Sequence, residues 1–94
     1  EGAQLDPHRA IIRRSLGRTL HRLGRRPEAI AEYRAALELE PSSVETHNDL
    51  GVLFAESGRF IEAVQQFEEA LRLDPSDPAA RDNLARSRAL LAPR

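Results

Sequence analysis

The fold is decided by residues Val44–Asp77, VETHNDLGVLFAESGRFIEAVQQFEEALRLDPSD, whose pattern is already present in residues Ala10–Ser43, AIIRRSLGRTLHRLGRRPEAIAEYRAALELEPSS. The residues shared at an offset of 34 are Leu16-Gly17 and Leu50-Gly51, Gly24 and Gly58, Ala29 and Ala63, Tyr33 and Phe67, Ala36-Leu37 and Ala70-Leu71, and Pro41 and Pro75. A fixed period of this length is typical of a stacked repeat array rather than of a globular domain with a buried active site. The sequence therefore predicts a surface on which other molecules dock.

Apolar residues follow helical spacing throughout the chain, and no useful stretch alternates with the period of a strand. Ile12, Leu16, Leu20 and Leu23, for example, lie on one face of a helix. The pattern predicts five helices, at roughly 9–23, 27–40, 44–57, 61–73 and 78–91. Because the connections are short, neighbouring helices are expected to pack antiparallel.

Local signals predict where these helices start and stop. Gly24 and Gly58 are expected to end helices because glycine tolerates positive φ. The third helix has two candidate N-caps, Ser42 as part of a capping box or Ser43. Asp77 is the expected N-cap of the last helix.

The repeated residues resemble the tetratricopeptide repeat, a helix–turn–helix unit of the same length. Residues Val44–Asp77 fit best and Ala10–Ser43 nearly as well, although Arg13, His47 and Arg81 replace the early tryptophan of the family. The resemblance implies an all-α, right-handed helical solenoid of antiparallel helix pairs. Its expected divisions are a stub of an upstream repeat at 1–9, repeat units at 10–43 and 44–77, and a capping helix with its tail at 78–94.

Composition argues against several classes of protein. The 94 residues include 14 basic and 15 acidic ones, every basic residue being arginine, so the basic excess of a general nucleic-acid binder is missing. No apolar run is long enough to span a bilayer, and no signal peptide is visible, so we expect no membrane insertion. The three histidines lack metal-ligand spacing, there is no cysteine, and no nucleophile or phosphate-loop motif is present. We therefore expect no enzyme activity, metal or cofactor in this chain.

Charge is distributed unevenly along the chain. Residues 10–43 carry seven arginines and four glutamates, residues 44–77 two arginines and eight acids, and residues 78–94 four arginines and one aspartate. The order along the array is thus positive, negative and positive.

The resemblance implies that the first helices of successive repeats line a concave groove that holds a peptide. The residues expected to line it are Arg14, Arg18, His21, Arg22, Asn48, Asp49, Val52, Asn83 and Arg86. Two readings stay open: Arg14 and Arg18 pair internally with Asp49 and Glu45, or the arginines hold an acidic segment or C-terminal carboxylate of a partner.

One function within the family can be compared residue by residue, namely the clamping of chaperone C-terminal carboxylates by two basic residues and asparagines. Arg14 replaces one of the expected lysines, but Arg18 and Asp49 stand where asparagine is expected and Ala79 where the second lysine is expected. The carboxylate of Asp49 would repel that of the peptide, which argues against this particular ligand.

The predicted function is a non-catalytic protein–protein interaction module within a larger adaptor or scaffold. The alternative is a spacer or self-association segment, attached in one version to an enzyme, that associates through an N-terminal face containing Ile12, Leu16 and Leu20. The chain lacks an initiator methionine, so we expect a piece of a longer or processed protein. Nothing in the sequence identifies the compartment, and the cytoplasm is only the default.

Overall fold

The computed structural model describes residues 7–92, which form five α-helices and no strand. The helices are α1 (Pro7–Arg22), α2 (Arg26–Leu39), α3 (Val44–Glu56), α4 (Phe60–Leu73) and α5 (Pro78–Leu91). The predicted all-α architecture is confirmed, and each helix lies within one turn of its predicted bounds. Residues 1–6 of the proposed stub, and the last two residues of the tail, lie outside the described residues. The division into units at 10–43 and 44–77 stays a prediction.

Two glycines make the tight turns within the helix pairs. Gly24 has φ 79° and Gly58 has φ 77°, a left-handed conformation that a residue with a side chain rarely adopts. After each glycine the backbone N–H reaches back to the last turn of the helix, from Arg25 to the Leu20 carbonyl at 2.9 Å and from Arg59 to the Phe54 carbonyl at 2.8 Å. These hydrogen bonds pair carbonyl groups that have no partner within the helix. Each glycine thus ends its helix in a tight turn, and the chain reverses within a few residues.

The first turns of α3 and α5 are capped by side chains. Ser43 Oγ accepts a hydrogen bond from the backbone N–H of Thr46 at 3.2 Å, so Ser43 rather than Ser42 is the N-cap of α3. Asp77 Oδ2 accepts from the N–H of Ala80 at 2.9 Å and caps α5 as predicted.

The helices of each pair approach closely because a glycine faces an aromatic ring. Gly17 on α1 lies against the ring of Tyr33 on α2, and Gly51 on α3 lies against the ring of Phe67 on α4. Both rings are almost completely buried, and burial of each such side chain contributes roughly 1.5–3 kcal/mol. The remaining core residues are Ala29, Ile30, Leu50, Leu53, Phe54, Ala63 and Leu84.

His47 is a structural residue. It is buried, and its ring nitrogens lie 2.8 Å from Oε1 of Gln66 and 2.9 Å from the carbonyl oxygen of Pro41. A histidine with a partner at both ring nitrogens joins α3 to α4 and to the preceding loop.

The order of packing gives the stack an inner and an outer side. Each helix packs mainly on its neighbour in sequence, but α1 also approaches α3, and α3 approaches α5. Over their described lengths no Cα atom of α2 lies within 8 Å of one in α4. The first helices of the pairs are therefore closer together than the second ones, and α1, α3 and α5 form the concave side.

Candidate binding groove

The concave surface of α1, α3 and α5 is called the groove below, and the residues predicted to line it all belong to these three helices. Its two halves differ. The half between α1 and α3 is crossed by ion pairs, and the half between α3 and α5 contains an open cavity.

One ion pair and one histidine–carboxylate contact join α1 to α3 across the first half. Arg14 Nε donates to Asp49 Oδ2 at 3.1 Å, and His21 Nε2 lies 2.7 Å from Glu56 Oε1. Arg26, at the start of α2, also places its Nε 3.6 Å from the same Glu56 oxygen. Each pair is partly exposed, so its contribution to the free energy of unfolding is only about 0–1 kcal/mol. The predicted internal pairing of Arg14 with Asp49 is confirmed.

The predicted pairing of Arg18 with Glu45 is wrong. Arg18 is exposed, and it makes none of the ion pairs found among residues 7–92. Because α2 lies between them in the chain, α1 and α3 run parallel, and the repeat offset brings Arg18 level with Val52. Glu45 lies seven residues from Val52, which is roughly 10 Å along a helix axis.

The pKa of the Tyr33 hydroxyl depends on the charged groups of the first half of the groove. Burial, and secondly the carboxylate of Asp49, raise the pKa of Tyr33 from 10.0 to about 12, whereas Arg18 and Arg14 act in the opposite direction. Tyr33 therefore stays protonated at neutral pH, and its phenol reports on the charge balance of the first half of the groove.

Asn48 connects α3 to the start of α5. Its Nδ2 donates to Asp77 Oδ2 at 2.8 Å, the same oxygen that caps α5. Its Oδ1 is buried and has no hydrogen-bond partner among residues 7–92. The predicted peptide contact thus also acts as a tether that orients the last helix.

The second half of the groove contains a cavity of about 400 Å³ between α3, α4 and α5. Its lining residues are Val52, Ala55, Glu56, Phe60, Phe67, Asn83, Arg86, Ser87 and Leu90. At its edge, Nη2 of Arg86 donates to Oδ1 of Asn83 at 2.6 Å. The lining is mainly apolar, with one arginine and one glutamate at the edge.

The cavity exists because the repeats differ at a few positions. Ser87 corresponds to Leu53, which is fully buried, so a small side chain replaces a large one. One repeat earlier, the counterpart of Ala55 is His21, whose ring binds Glu56 across the groove. The sequence analysis missed Ala55, Phe60, Phe67, Ser87 and Leu90 as functional candidates. A comparison of each position with its counterpart 34 residues away would have identified Ser87.

The predicted groove residues thus divide by position. Val52, Asn83 and Arg86 line the cavity, Arg14, His21 and Asp49 form the pairs across the first half, Asn48 holds Asp77, and Arg18 and Arg22 are exposed on α1. Within residues 7–92 no group of three or more histidine or acidic side chains is arranged to hold a metal ion. None of the helices in this part of the chain has the length and apolar character needed to cross a bilayer.

Stacked helix hairpins with a lined concave surface define an α-solenoid of repeats. The tetratricopeptide repeat family model matches residues 3–44 and 14–78, and the chain therefore belongs to the tetratricopeptide repeat family. No curated protein matches it by sequence.

Solved structures with the same fold include two domains of one protein. The first tetratricopeptide domain of Spaghetti (RPAP3), bound to the HSP90 peptide SRMEEVD, has a TM-score of 0.89 at 20% identity, covering 93% of this chain and 71% of that one. The second domain of the same protein, with the same peptide, has a TM-score of 0.86 at 19% identity, covering 88% and 77%. The hetero-tetramer Cut9-Hcn1 of the APC/C matches with a TM-score of 0.81 at 22% identity, covering 83% of this chain and 15% of that one. At these identities the likeness defines the fold alone.

Proposed function

We propose that the chain is a non-catalytic protein–protein interaction module, part of an adaptor or scaffold, that binds a segment of a partner protein along its groove. The observation that carries the proposal is the apolar cavity of about 400 Å³ on the concave side, with Asn83 and Arg86 at its edge. Two domains of one protein, both with the same fold as this chain, hold an acidic peptide, SRMEEVD, in their solved structures. Shape and family together therefore favour a peptide ligand.

The charges of the groove support an acidic partner, but not a copy of the chaperone clamp. Arg18, Arg22 and Arg86 are exposed on the concave side and can hold carboxylates. Arg14, in contrast, is already neutralised by Asp49 at 3.1 Å. A C-terminal carboxylate placed at Arg14 would have to displace Asp49 and would then lie next to its charge.

The test is quantitative capture of partners by the chain, with Arg18, Arg22 and Arg86 all changed to glutamate in one variant. The matched control changes Arg25, Arg72 and Arg81 to glutamate, because these exposed arginines lie off the groove and give the same change in net charge. A partner retained by the control and lost by the groove variant supports the proposal. Equal loss or equal retention in both variants would contradict it.

A second candidate, self-association through the N-terminal face, is favoured by exposed apolar residues on α1. Ile12 is 66% exposed and Leu16 is 43% exposed, whereas their counterparts Thr46 and Leu50 are buried. Leu20, which the sequence analysis placed on the same face, packs instead against the core. Sedimentation at increasing concentration tests this candidate: a dimer that Leu16→Gln abolishes supports it, and a monomer throughout contradicts it.

A further inference from the structure

We infer that the partner segment is anchored by one large apolar side chain, inserted between α3 and α5, beside an acidic residue that Arg86 holds. This inference rests on the proposed function and specifies the chemistry of its ligand. The occupant is a segment of a partner protein with an apolar–acidic pair, and the pair does not need to stand at a free C-terminus.

The cavity has room for a large apolar side chain. Its volume of about 400 Å³ is at the small end of the range of ligand pockets. Its walls are Val52, Ala55 and Phe60, and the ring of Phe67 contributes to the lining. Leu90 is 61% exposed at the opening. Insertion of an apolar side chain would remove the exposed parts of Val52, Ala55, Phe60 and Leu90 from water, which is the main source of affinity at such a site.

The charge at the edge of the cavity selects the neighbouring residue. Nη2 of Arg86 donates to a neutral amide oxygen, that of Asn83, and no carboxylate within residues 7–92 forms an ion pair with Arg86. The only acidic residue lining the cavity, Glu56, is already engaged by His21 and Arg26. The edge therefore presents one positive charge without an ionic partner, and a carboxylate of the ligand complements it.

A comparison of the two repeats explains why we expect the apolar side chain of the ligand to bind between α3 and α5 rather than between α1 and α3. In the first half the equivalent space is bordered by His21 and Arg26, both bound to Glu56, instead of by Ala55 and Phe60. A ligand there would have to separate charge pairs, whereas between α3 and α5 it meets an open apolar surface.

The experiment is a selection of displayed short random peptides against the chain, with one library ending in a free carboxylate and another with a blocked C-terminus. Enriched peptides are then measured against Ser87→Leu, which fills the cavity, and Arg86→Glu, which reverses its charge. The matched controls are Ala31→Leu on the exposed side of α2 and Arg81→Glu on α5. Because Ser87 is buried, the milder Leu90→Gln is measured as well, and circular dichroism verifies that each variant is helical.

We expect peptides from both libraries to share a large apolar residue next to an acid. Ser87→Leu and Leu90→Gln should weaken them by about tenfold or more and the controls should not, since burial of such a side chain is worth more than the free energy of one decade. Peptides that bind all variants equally, or only with a free carboxylate, would overturn the inference and leave the proposed function standing. If neither library yields a binder, the proposed function itself fails.

Discussion

Gly51 lies directly against the ring of Phe67, so that a Cβ atom built on Gly51 would stand 2.5 Å from Cε1 of the ring. The same relationship is repeated between Gly17 and Tyr33, with a Cβ-to-ring distance of 2.8 Å. Real Cβ atoms do not come this close to a ring, and both rings are almost completely buried. The distance between the two helices of each pair is therefore set by the absence of a side chain.

Gly51→Leu should unfold the chain, because the new side chain would have to push the α3 and α4 helices apart. Gly51→Ala should lower the free energy of unfolding by about 1–3 kcal/mol, the usual cost of overpacking. Circular dichroism with urea titration measures both. The control is Gly58→Ala, where nothing lies near the new Cβ and only the φ of 77° is strained, at about 1–2 kcal/mol. A helical Gly51→Leu variant that melts cooperatively would show that the helix spacing does not depend on Gly51.

The ionisation of Tyr33 should occur at unusually high pH. The chain has a single tyrosine, so absorbance of tyrosinate reports on this residue alone. Burial and Asp49 raise its pKa from 10.0 to about 12, which means that the folded chain holds the proton more tightly than the unfolded chain. The resulting stability is fully present below pH 10.0 and is lost as the pH rises through about 12.

Variants in the groove separate the causes of that shift. Asp49→Asn should lower the pKa of Tyr33, and Arg18→Ala should raise it further, because the two charges act on the phenol with opposite sign. Ellipticity recorded at each pH shows whether the chain is still folded when the phenol ionises. A titration midpoint of Tyr33 near 10.0 in the folded chain, or an unchanged pKa in Asp49→Asn, would contradict the burial of this phenol next to Asp49.

Asp77→Ala should destabilise the last helix more than a simple cap mutation does. Oδ2 of Asp77 accepts from both the N–H of Ala80 and Nδ2 of Asn48. Loss of the cap alone costs about 0.5–2 kcal/mol, and the amide of Asn48 would lose its partner as well. Urea unfolding measures the difference, with Ser43→Ala as the comparison at the other capped helix. An equal loss of stability in the two variants would mean that the hydrogen bond from Asn48 to Asp77 does not contribute to the free energy of unfolding.

The HSP90 peptide SRMEEVD should bind this chain weakly, although two domains of one protein with the same fold hold it in their solved structures. Asp49→Asn combined with Ala79→Lys should raise the affinity by about tenfold or more, because it removes a repelling carboxylate and adds a cation. Fluorescence anisotropy of the labelled peptide measures this. Glu38→Gln combined with Ala31→Lys, both at exposed positions of α2, controls for the same change in net charge. Tight binding by the unaltered chain would mean that Asp49 does not exclude the peptide.

The helices could be predicted from sequence because their signals are local and occur twice. Gly24 and Gly58 have positive φ, and α5 has its predicted cap at Asp77. The choice between Ser42 and Ser43 stayed open because both carry the same hydroxyl group. Only the backbone geometry at the start of α3 decides in favour of Ser43.

The groove could be predicted in outline but not in detail. The face of α1 that carries Arg14 and Arg18 follows from helical periodicity, but their partners depend on how α1 and α3 align. By the repeat offset Arg14 is level with Asn48 and binds the adjacent Asp49, whereas Arg18 is level with Val52. The cavity was not predicted because it results from a difference between repeats, whereas periodicity emphasises what the repeats share. Ser87 lines the cavity, and its counterpart one repeat earlier is the larger Leu53.

The pairs Arg14–Asp49 and His21–Glu56 couple the charge of the groove to the docking of the first helix pair. Over residues 7–92 each helix contacts only its neighbours and next neighbours along the stack, which favours rapid folding and permits local opening of one helix pair. Opening of α1 and α2 would leave the cavity between α3 and α5 in place and would free Asp49 and Glu56. The same segment would then present an acidic surface where the closed stack presents a neutralised one, so opening of this helix pair would change ligand preference as well as stability.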